Sequence, residues 1–149
     1  MRCYLLILSC SQRKRRGPGL LPAIERYDGV SFRVIRKAMR EGRWNENIDL
    51  LILSAKHGFL NVDDKIEDYD EEITKERANE LKGSVLAALQ QCLRQRSYAD
   101  IFVNMGKDYL AALPEWNRLL SGTDTRVIYP EGGIGKKLSS MKEWIDSLE

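Results

Sequence analysis

The stretch DLLILSAKHGFL, residues 49–60, begins as a continuous apolar run and then breaks into small, polar and cationic residues. The run is short and has no helical period, which is typical of a strand buried on both faces of a sheet. The break contains Lys56 and His57, and His57 is the single histidine of the chain. We therefore expect a buried strand whose end presents an imidazole to one edge of a sheet.

Three further apolar runs have the same character, and helical patterns lie between the runs. The other runs are YLLILS (4–9), ADIFVN (99–104) and TRVIYP (125–130). Apolar residues recur at helical spacing over 30–41, 74–95, 107–120 and 136–148. Thr74 is expected to cap the second of these helices, and Pro114 to begin a second helix within 107–120. This alternation predicts an α/β fold, with a mostly parallel central sheet of about four or more strands flanked by helices, in one domain spanning 1–149.

Composition limits the protein classes that remain. A chain of 149 residues with a net charge of +2 has the length of one ordinary domain and no strong general affinity for nucleic acid. Its three cysteines lie far apart in sequence, which argues against a disulfide framework and favours a reducing compartment. No apolar run has the length of a membrane span. We expect a cytoplasmic protein without a membrane partner, a metal or a cofactor, and the sequence gives no indication of an oligomeric state.

Candidate site residues follow the four predicted strands. Ligands bind at the carboxyl ends of parallel strands, where loops and helix N-termini converge. The polar, cationic and glycine residues at these ends are Cys10, Ser11 and Lys14, then Ser54, Lys56, His57 and Gly58, then Asn104 and Gly106, and finally Gly132, Gly133 and Gly135. Polar loops with glycines also occur there without any function, so the four ends together carry more weight than any one of them.

Two of these residues have catalytic chemistry. The imidazole of His57 is the candidate acid or base, because histidine titrates near neutrality. Cys10 precedes the basic run QRKRR (12–16), and nearby cations favour a reactive thiolate. The glycines of GGIGKK (132–137) are a candidate anion cradle at a helix N-terminus. The alternatives are a histidine bonded in a turn, a cysteine packed at a strand end and a solvated basic loop.

Several of these motifs occur in an order that resembles one small prokaryotic family labelled as a domain of unknown function. The motifs are LILSCSQRK (6–14), ERYDGVSFRVIRK (25–37), ILSAKHGFL (52–60), IEDYD (66–70) and GGIGKKLSSM (132–141). That family is in turn distantly similar to the YaaA peroxide-stress proteins and to the core domain of archaeosine synthases, which modify a deazaguanine base in tRNA. The resemblance covers nearly the whole chain.

The resemblance implies a uracil-DNA-glycosylase-like or YaaA-like fold with a pocket for a nucleobase or nucleotide. It adds Tyr27, Tyr69 and Asp70 to the candidate site. Tyr27 would stack on a base, and Asp70 would bind a base edge or orient His57. The archaeosine-synthase signature has Lys-Pro-Tyr after its cysteine, whereas no Pro-Tyr pair follows Lys14 here. The specific chemistry of those enzymes is therefore not implied.

Two classes of function follow from these observations. The first is an enzyme directed at a nucleobase, a nucleotide or nucleic acid, with His57, Cys10 and Asp70 as catalytic residues. The second is a non-catalytic nucleic-acid-binding or ligand-sensing domain in a stress-response or defence system. In that case residues 13–16 would contact phosphates, and binding would weaken steeply with salt.

Overall fold

The structure is a computed structural model that describes residues 2–148, so residues 1 and 149 of the predicted domain lie outside the described chain. Its strands, in chain order, are β1 (Cys3–Ser9), β2 (Leu21–Pro22), β3 (Ile48–Ser54), β4 (Gly58–Asn61), β5 (Lys65–Ile66), β6 (Tyr98–Asn104) and β7 (Arg126–Ile128). Its helices are α1 (Ala23–Arg26), α2 (Val30–Arg40), α3 (Lys75–Gln95), α4 (Lys107–Leu110), α5 (Trp116–Leu119) and α6 (Ile134–Ser147).

Five strands form one sheet in the order β4-β3-β1-β6-β7. The four strands predicted from the apolar runs pair in parallel, and β1 lies at the centre between β3 and β6. The predicted α/β fold with a mostly parallel sheet is confirmed at this level. In the register of β1, Ser9 lies opposite Leu53 and Leu8 lies opposite Asn104. The carboxyl ends of β1, β3 and β6 therefore meet at one edge of the sheet.

The fifth strand, β4, was not predicted and pairs antiparallel with β3. Residues 55–57 form the turn between them, and Gly58 has φ +75°, a left-handed conformation that favours glycine. His57 therefore lies in a hairpin turn at the sheet edge. The acidic loop after β4 contains the short strand β5, which pairs antiparallel with β2.

Each face of the sheet is covered by helices. On one face, α2 and α6 pack against alternate residues of β1, represented by Leu6 and Leu8. On the other face, α3 packs against the residues that point the opposite way, represented by Leu5 and Ile7. Because β1 is apolar on both faces, its sequence reads as a continuous apolar run, which is the pattern expected of a covered parallel strand.

The predicted helices over 30–41, 74–95 and 136–148 are observed with end shifts of at most two residues. The Thr74 hydroxyl caps α3 by accepting a hydrogen bond from the Arg77 backbone N–H at 3.1 Å. The region 107–120 instead holds two short helices, and the second begins at Trp116 rather than at Pro114. Within residues 2–148, no helix is both long enough and apolar enough to cross a membrane.

Candidate functional site

Two adjoining cavities open at the carboxyl ends of β1 and β6. The apolar cavity, of about 240 Å³, has Leu8, Phe32 and Met105 in its walls, with Asn104 as a polar group. The charged cavity, of about 210 Å³, is lined by Cys10, Lys14, Asp70, Lys107 and Tyr109, among others. Cys10, Ser11 and Gly106 line both cavities. The two cavities therefore meet where β1 ends, at the edge of the sheet where ligands of parallel α/β folds bind.

Backbone hydrogen bonds and one close contact fix the wall that the two cavities share. The Cys10 N–H donates to the Leu53 carbonyl at 2.9 Å, and the Gly106 N–H donates to the Ser9 hydroxyl at 3.1 Å. The Ser11 hydroxyl accepts from the Gly29 N–H at 3.2 Å. A Cβ on Gly29 would lie only 2.8 Å from the Ser11 Cβ, so this approach requires glycine. The thiol of Cys10 is thereby held at the junction of the cavities.

The Cys10 thiol has a phenol as its neighbour. Its Sγ lies 3.0 Å from the Tyr109 Oη, within hydrogen-bonding distance. Burial, and then the nearby Cys10, raise the pKa of Tyr109 well above its usual value, so the phenol stays protonated. A protonated phenol donates a hydrogen bond to a thiolate and stabilises its negative charge.

Lys14 is the buried cation of the site, with only 8% of its surface exposed. Its Nζ donates one long hydrogen bond, at 3.4 Å, to the Gln12 carbonyl. The ammonium lies 4.6 Å from the ring centre of Tyr69 and 5.9 Å from that of Tyr27. Among the described residues, no carboxylate forms an ion pair with it. Burial lowers the pKa of Lys14, while Cys10 and, more weakly, Asp70 act in the opposite direction.

A buried hydroxyl network lies behind Lys14. The hydroxyl of Tyr69 is bonded both to that of Tyr27, at 2.5 Å, and to that of Ser54, at 2.7 Å. Ser54 also accepts the N–H groups of Lys56 and His57, at 3.2 and 3.0 Å. Burial raises the pKa of Tyr27 to about 12 and that of Tyr69 further, so both phenols stay neutral. This network joins the hairpin turn to the wall of the charged cavity.

The hairpin side chains Lys56 and His57 lie outside both cavities. The Lys56 Nζ and the His57 Nε2 both contact Glu67 Oε1, at 2.6 and 3.2 Å. The hydrogen bond from Lys56 is the main reason that the pKa of Glu67 falls to about 2. The imidazole packs edge-on against the Tyr69 ring, with 5.3 Å between ring centres. His57 therefore reaches the site only through Tyr69.

The other predicted site residues fall into three groups. Ser11, Asn104, Gly106, Asp70 and Lys14 line one or both cavities with Cys10. Tyr27 is fully buried and lines neither cavity, so the geometry does not allow the base stacking expected of it. Gly132, Gly133 and Gly135 are exposed at the start of α6 and lie outside both cavities, whereas Ile134 and Lys137 of the same segment line the apolar one.

Most of the cationic side chains in the basic run 12–16 are paired or buried, so fewer of them are available to bind a phosphate than the sequence indicated. Arg16 donates to Asp68 at 2.9 Å, and Arg13 lies 3.7 Å from Asp28. Lys14 is the buried cation described above. Arg15 is exposed, and its carbonyl accepts from the buried Arg26. Two of the four cations expected to hold a phosphate are thus paired with carboxylates, and a third points inward.

Sequence reasoning missed Tyr109 and Phe32 as site residues. Tyr109 follows the third predicted strand by five residues, in a helix whose side-chain directions were not assigned, and its partner Cys10 is 99 residues away. Phe32 belongs to the ERYDGVSFRVIRK motif, but no role was predicted for it from the sequence. It packs on the buried Tyr27, with 5.3 Å between ring centres, while lining the apolar cavity.

A wider cavity, of about 860 Å³, lies at the opposite edge of the sheet, beside residues 2–4 and 147–148. Two charged side chains of this cavity, Asp100 and Arg126, form an ion pair with each other. Arg126 donates to both carboxylate oxygens of Asp100, and the Trp144 indole N–H donates to the same carboxylate at 3.0 Å. Across residues 2–148, no three His, Cys, Asp or Glu side chains are grouped as metal ligands.

Comparisons with known proteins show the family and the fold. Residues 5–143 match a family of unknown function, DUF6884. The crystal structure of AF0587, a protein of unknown function, is similar in fold, with a TM-score of 0.55 and 14% sequence identity. The alignment covers 98% of this chain and 45% of that chain, so this chain spans less than half of that protein. No curated protein matches the sequence.

Proposed function

Since this chain belongs to the DUF6884 family of unknown function, its activity has to be inferred from the site, and we propose that it is an enzyme acting on a nucleoside or nucleotide. The nucleobase occupies the apolar cavity, and the ribose extends into the charged cavity. Cys10 lies at the junction, beside the bond that joins base and sugar. The observation that carries this proposal is the position of Cys10, which lines both cavities and has the Tyr109 phenol at 3.0 Å.

The apolar cavity suits a planar ring with polar edges. Its volume of about 240 Å³ is slightly below the range of about 300–1,000 Å³ that is usual for drug-sized ligands, as expected for a single base. Phe32 and Met105 supply apolar contact. Asn104 donates a long bond, at 3.3 Å, to the Ser31 hydroxyl and a weak bond, at 3.5 Å, to the Met141 sulfur, so its amide can turn toward a base edge.

The charged cavity suits a neutral sugar better than a phosphate. The cations Lys14 and Lys107 are outnumbered there by Asp70, Glu71, Glu72 and Asp108. Carboxylates accept hydrogen bonds from hydroxyl groups and repel phosphate oxygens. A nucleoside or a nucleotide with its phosphate outside this cavity is therefore the favoured ligand.

Within this proposal Cys10 is the catalytic residue, and Lys14 stabilises negative charge that develops beside it. A neutral phenol and a buried ammonium are the preorganised donors that stabilise a thiolate or a departing anion. Asp70 binds sugar hydroxyls. No acid–base role is assigned to His57 in this proposal, because it lines neither cavity and its ring contacts Glu67 and Tyr69.

The resemblance to the YaaA proteins and the archaeosine synthases is also part of this proposal. A uracil-DNA-glycosylase-like fold of the YaaA and archaeosine-synthase type implies a nucleobase ligand, and the motif order of the chain favours it. A cytoplasmic location is proposed with it, because the three cysteines are free and a reduced thiol at Cys10 requires a reducing compartment.

The test is a ligand screen followed by product analysis. Nucleobases, nucleosides and nucleoside monophosphates are added singly, and the melting temperature is measured, because a ligand that binds only the folded state stabilises it. Stabilising compounds are then incubated with the protein and analysed by liquid chromatography and mass spectrometry. We expect nucleosides to stabilise the fold more than free bases do, and to be converted to a new product.

The variants Cys10→Ser, His57→Ala and Cys92→Ser assign the roles. Cys92 is a partly buried free cysteine on α3 that lines neither cavity, so its substitution is the matched control. We expect Cys10→Ser to keep binding and lose turnover, and the other two to keep both. Stabilisation without product in the wild type would identify a ligand-sensing domain. The absence of any nucleoside effect would overturn the proposal.

A further inference from the structure

Lys14 differs from Lys107, the other cation of the charged cavity, in being buried rather than exposed. Only 8% of the Lys14 surface is exposed, yet Lys14 lines the charged cavity. In its protonated form, Lys14 supplies the positive charge proposed above. A lysine that is desolvated beside apolar groups has a larger neutral fraction, and its amine is then a nucleophile.

The Lys14 amine lies near two aromatic rings and shares its cavity with two proton-donating side chains. The rings of Tyr69 and Tyr27 lie behind it, at 4.6 and 5.9 Å from Nζ. Cys10 and Tyr109 line the same cavity as proton donors. The single hydrogen bond from Nζ to the Gln12 carbonyl, at 3.4 Å, is long enough to be given up readily when a ligand enters.

We propose that Lys14 forms a covalent imine with the aldehyde carbon of an open-chain pentose bound in the charged cavity. This inference rests on the proposed function, because it takes the ribose position of that function as the place where the carbonyl lies. The acidic wall selects a neutral polyhydroxy compound. The amine selects a carbonyl group within it.

The step balances without an oxidant or a reductant. The lone pair of the neutral Nζ forms a bond to the carbonyl carbon, and the electron pair of the C=O bond moves to oxygen. That oxygen takes a proton from the Cys10 thiol or the Tyr109 phenol. One N–H proton then leaves with the hydroxyl group as water, the second N–H proton returns to the donor, and the C=N bond remains.

The experiment uses D-ribose and sodium cyanoborohydride with the 149-residue chain. Hydride adds to the imine carbon, nitrogen takes a proton from water, and a stable secondary amine remains. Chymotryptic cleavage after Leu8 and Leu20 releases residues 9–20, a segment in which Lys14 is the only lysine. Mass spectrometry of that segment identifies an adduct on Lys14 in the wild-type protein, independently of any variant.

We expect the adduct on residues 9–20, its loss in Lys14→Arg and its persistence in Lys107→Arg. Arginine keeps the positive charge and forms no such imine, and Lys107 is the exposed lysine of the same cavity. Ribose 5-phosphate should label Lys14 less than ribose does. Circular dichroism checks that Lys14→Arg is folded.

An unlabelled segment 9–20, or equal labelling of Lys107 and other exposed lysines, would overturn the inference. Its failure is distinguishable from failure of the proposed function. If nucleosides stabilise the protein but ribose forms no adduct, the imine proposal fails and the proposed function stands. A specific adduct without any nucleoside effect removes the nucleoside reading and leaves a carbonyl-binding lysine.

Discussion

Gly29 shows how one residue type is required by a contact rather than by a turn. Its backbone N–H donates to the Ser11 hydroxyl, and a Cβ at this position would lie 2.8 Å from the Ser11 Cβ, a distance that side chains do not tolerate. The wall shared by the two cavities therefore depends on the absence of a side chain at residue 29. This explains why Gly29 follows Tyr27 and Asp28 in the second motif.

We predict that Gly29→Ala lowers the free energy of unfolding by about 1–3 kcal/mol, the usual range for inserting a methyl group into a packed region. Chemical denaturation measures the change. Gly83→Ala is the matched control, because a Cβ on this α3 residue meets nothing within 4 Å. There the substitution should stabilise the protein by up to about 1 kcal/mol, through the higher helix propensity of alanine. Equal effects at the two positions would contradict the steric account.

Asp28 makes the stability of the chain depend on acid pH. Its carboxylate accepts from Arg33 at 3.1 Å and from Arg36 at 2.5 Å, and the hydrogen bond from Arg33 is the main reason that its pKa falls from 3.8 to about 2. Because the pKa is lower in the folded state, the stabilisation is present above about pH 4. It is lost as the pH falls toward 2.

We predict that Asp28→Asn has a lower melting temperature than the wild type at pH 7, and that the difference shrinks between about pH 5 and pH 2. Glu67, whose pKa also falls to about 2, preserves part of the acid dependence in the variant. Glu143→Gln, at an exposed position on α6, serves as the control. A difference between Asp28→Asn and the wild type that stays constant down to pH 2 would refute this assignment.

Site residues that follow a strand end could be predicted from the sequence. Contacts between side chains that follow different strands could not, because such contacts depend on the order of the strands in the sheet. Cys10 and Lys14 follow β1 directly, so the carboxyl-end rule was sufficient to select them. Tyr109 reaches Cys10 only because β6 pairs with β1, and one apolar run does not indicate its neighbour in the sheet. His57 was selected by the same rule, but the turn geometry that directs it toward Glu67 arises from the unpredicted strand β4.

Among the elements, α3 holds the hairpin turn in place through one side chain. Arg77 donates from Nε to the Ala55 carbonyl at 2.6 Å and from Nη2 to the Lys56 carbonyl at 2.8 Å. The planar guanidinium makes both bonds at once, a geometry that a lysine ammonium does not reproduce. The turn after β3 thus depends on the first part of a helix that begins twenty residues later.

We predict that Arg77→Lys accelerates hydrogen exchange of the Lys56 and His57 amides, which donate to the Ser54 hydroxyl inside this turn. Amide exchange followed by NMR measures the local opening. Arg94→Lys is the control, since Arg94 lies exposed near the far end of the same helix. Unchanged exchange in Arg77→Lys would show that the turn is held by β4 alone.

The elements themselves were largely predictable, and the exceptions have physical reasons. Continuous apolar runs identified β1, β3 and β6, because both faces of these strands are covered. A run also identified the edge strand β7, although its residues are exposed or only partly buried. β4 has four residues, of which Phe59 and Asn61 are partly or fully exposed, so it gives no apolar run. Its Gly58 was noted as a site residue, whereas its positive φ gives it a structural role in the hairpin.

Across the whole molecule, two apolar cores share a single layer of strands. Ile35 of α2 is buried in the core on one face, and Leu89 of α3 is buried in the core on the other. Both cores include residues of β1, which alternate between the two faces. Loss of packing on one face therefore weakens the strand on which the other face is built, and the two layers should unfold together.

We predict that Ile35→Ala and Leu89→Ala each lower the free energy of unfolding by about 2–5 kcal/mol, the range for truncating a buried aliphatic side chain. Each variant should keep one transition in urea, with the same midpoint by far-ultraviolet circular dichroism and by tryptophan fluorescence. Trp44 and Trp144 pack in the core of Ile35, whereas Trp116 packs against the core of Leu89. The fluorescence is therefore recorded in a Trp116→Phe background, where it reports on the Ile35 face even when Leu89 is truncated. If Leu89→Ala shifted the circular dichroism transition and left the fluorescence transition unchanged, the two cores would be independent. Coincident shifts would show that the sheet couples them, and would mean that a ligand bound where β1 ends stabilises both faces at once.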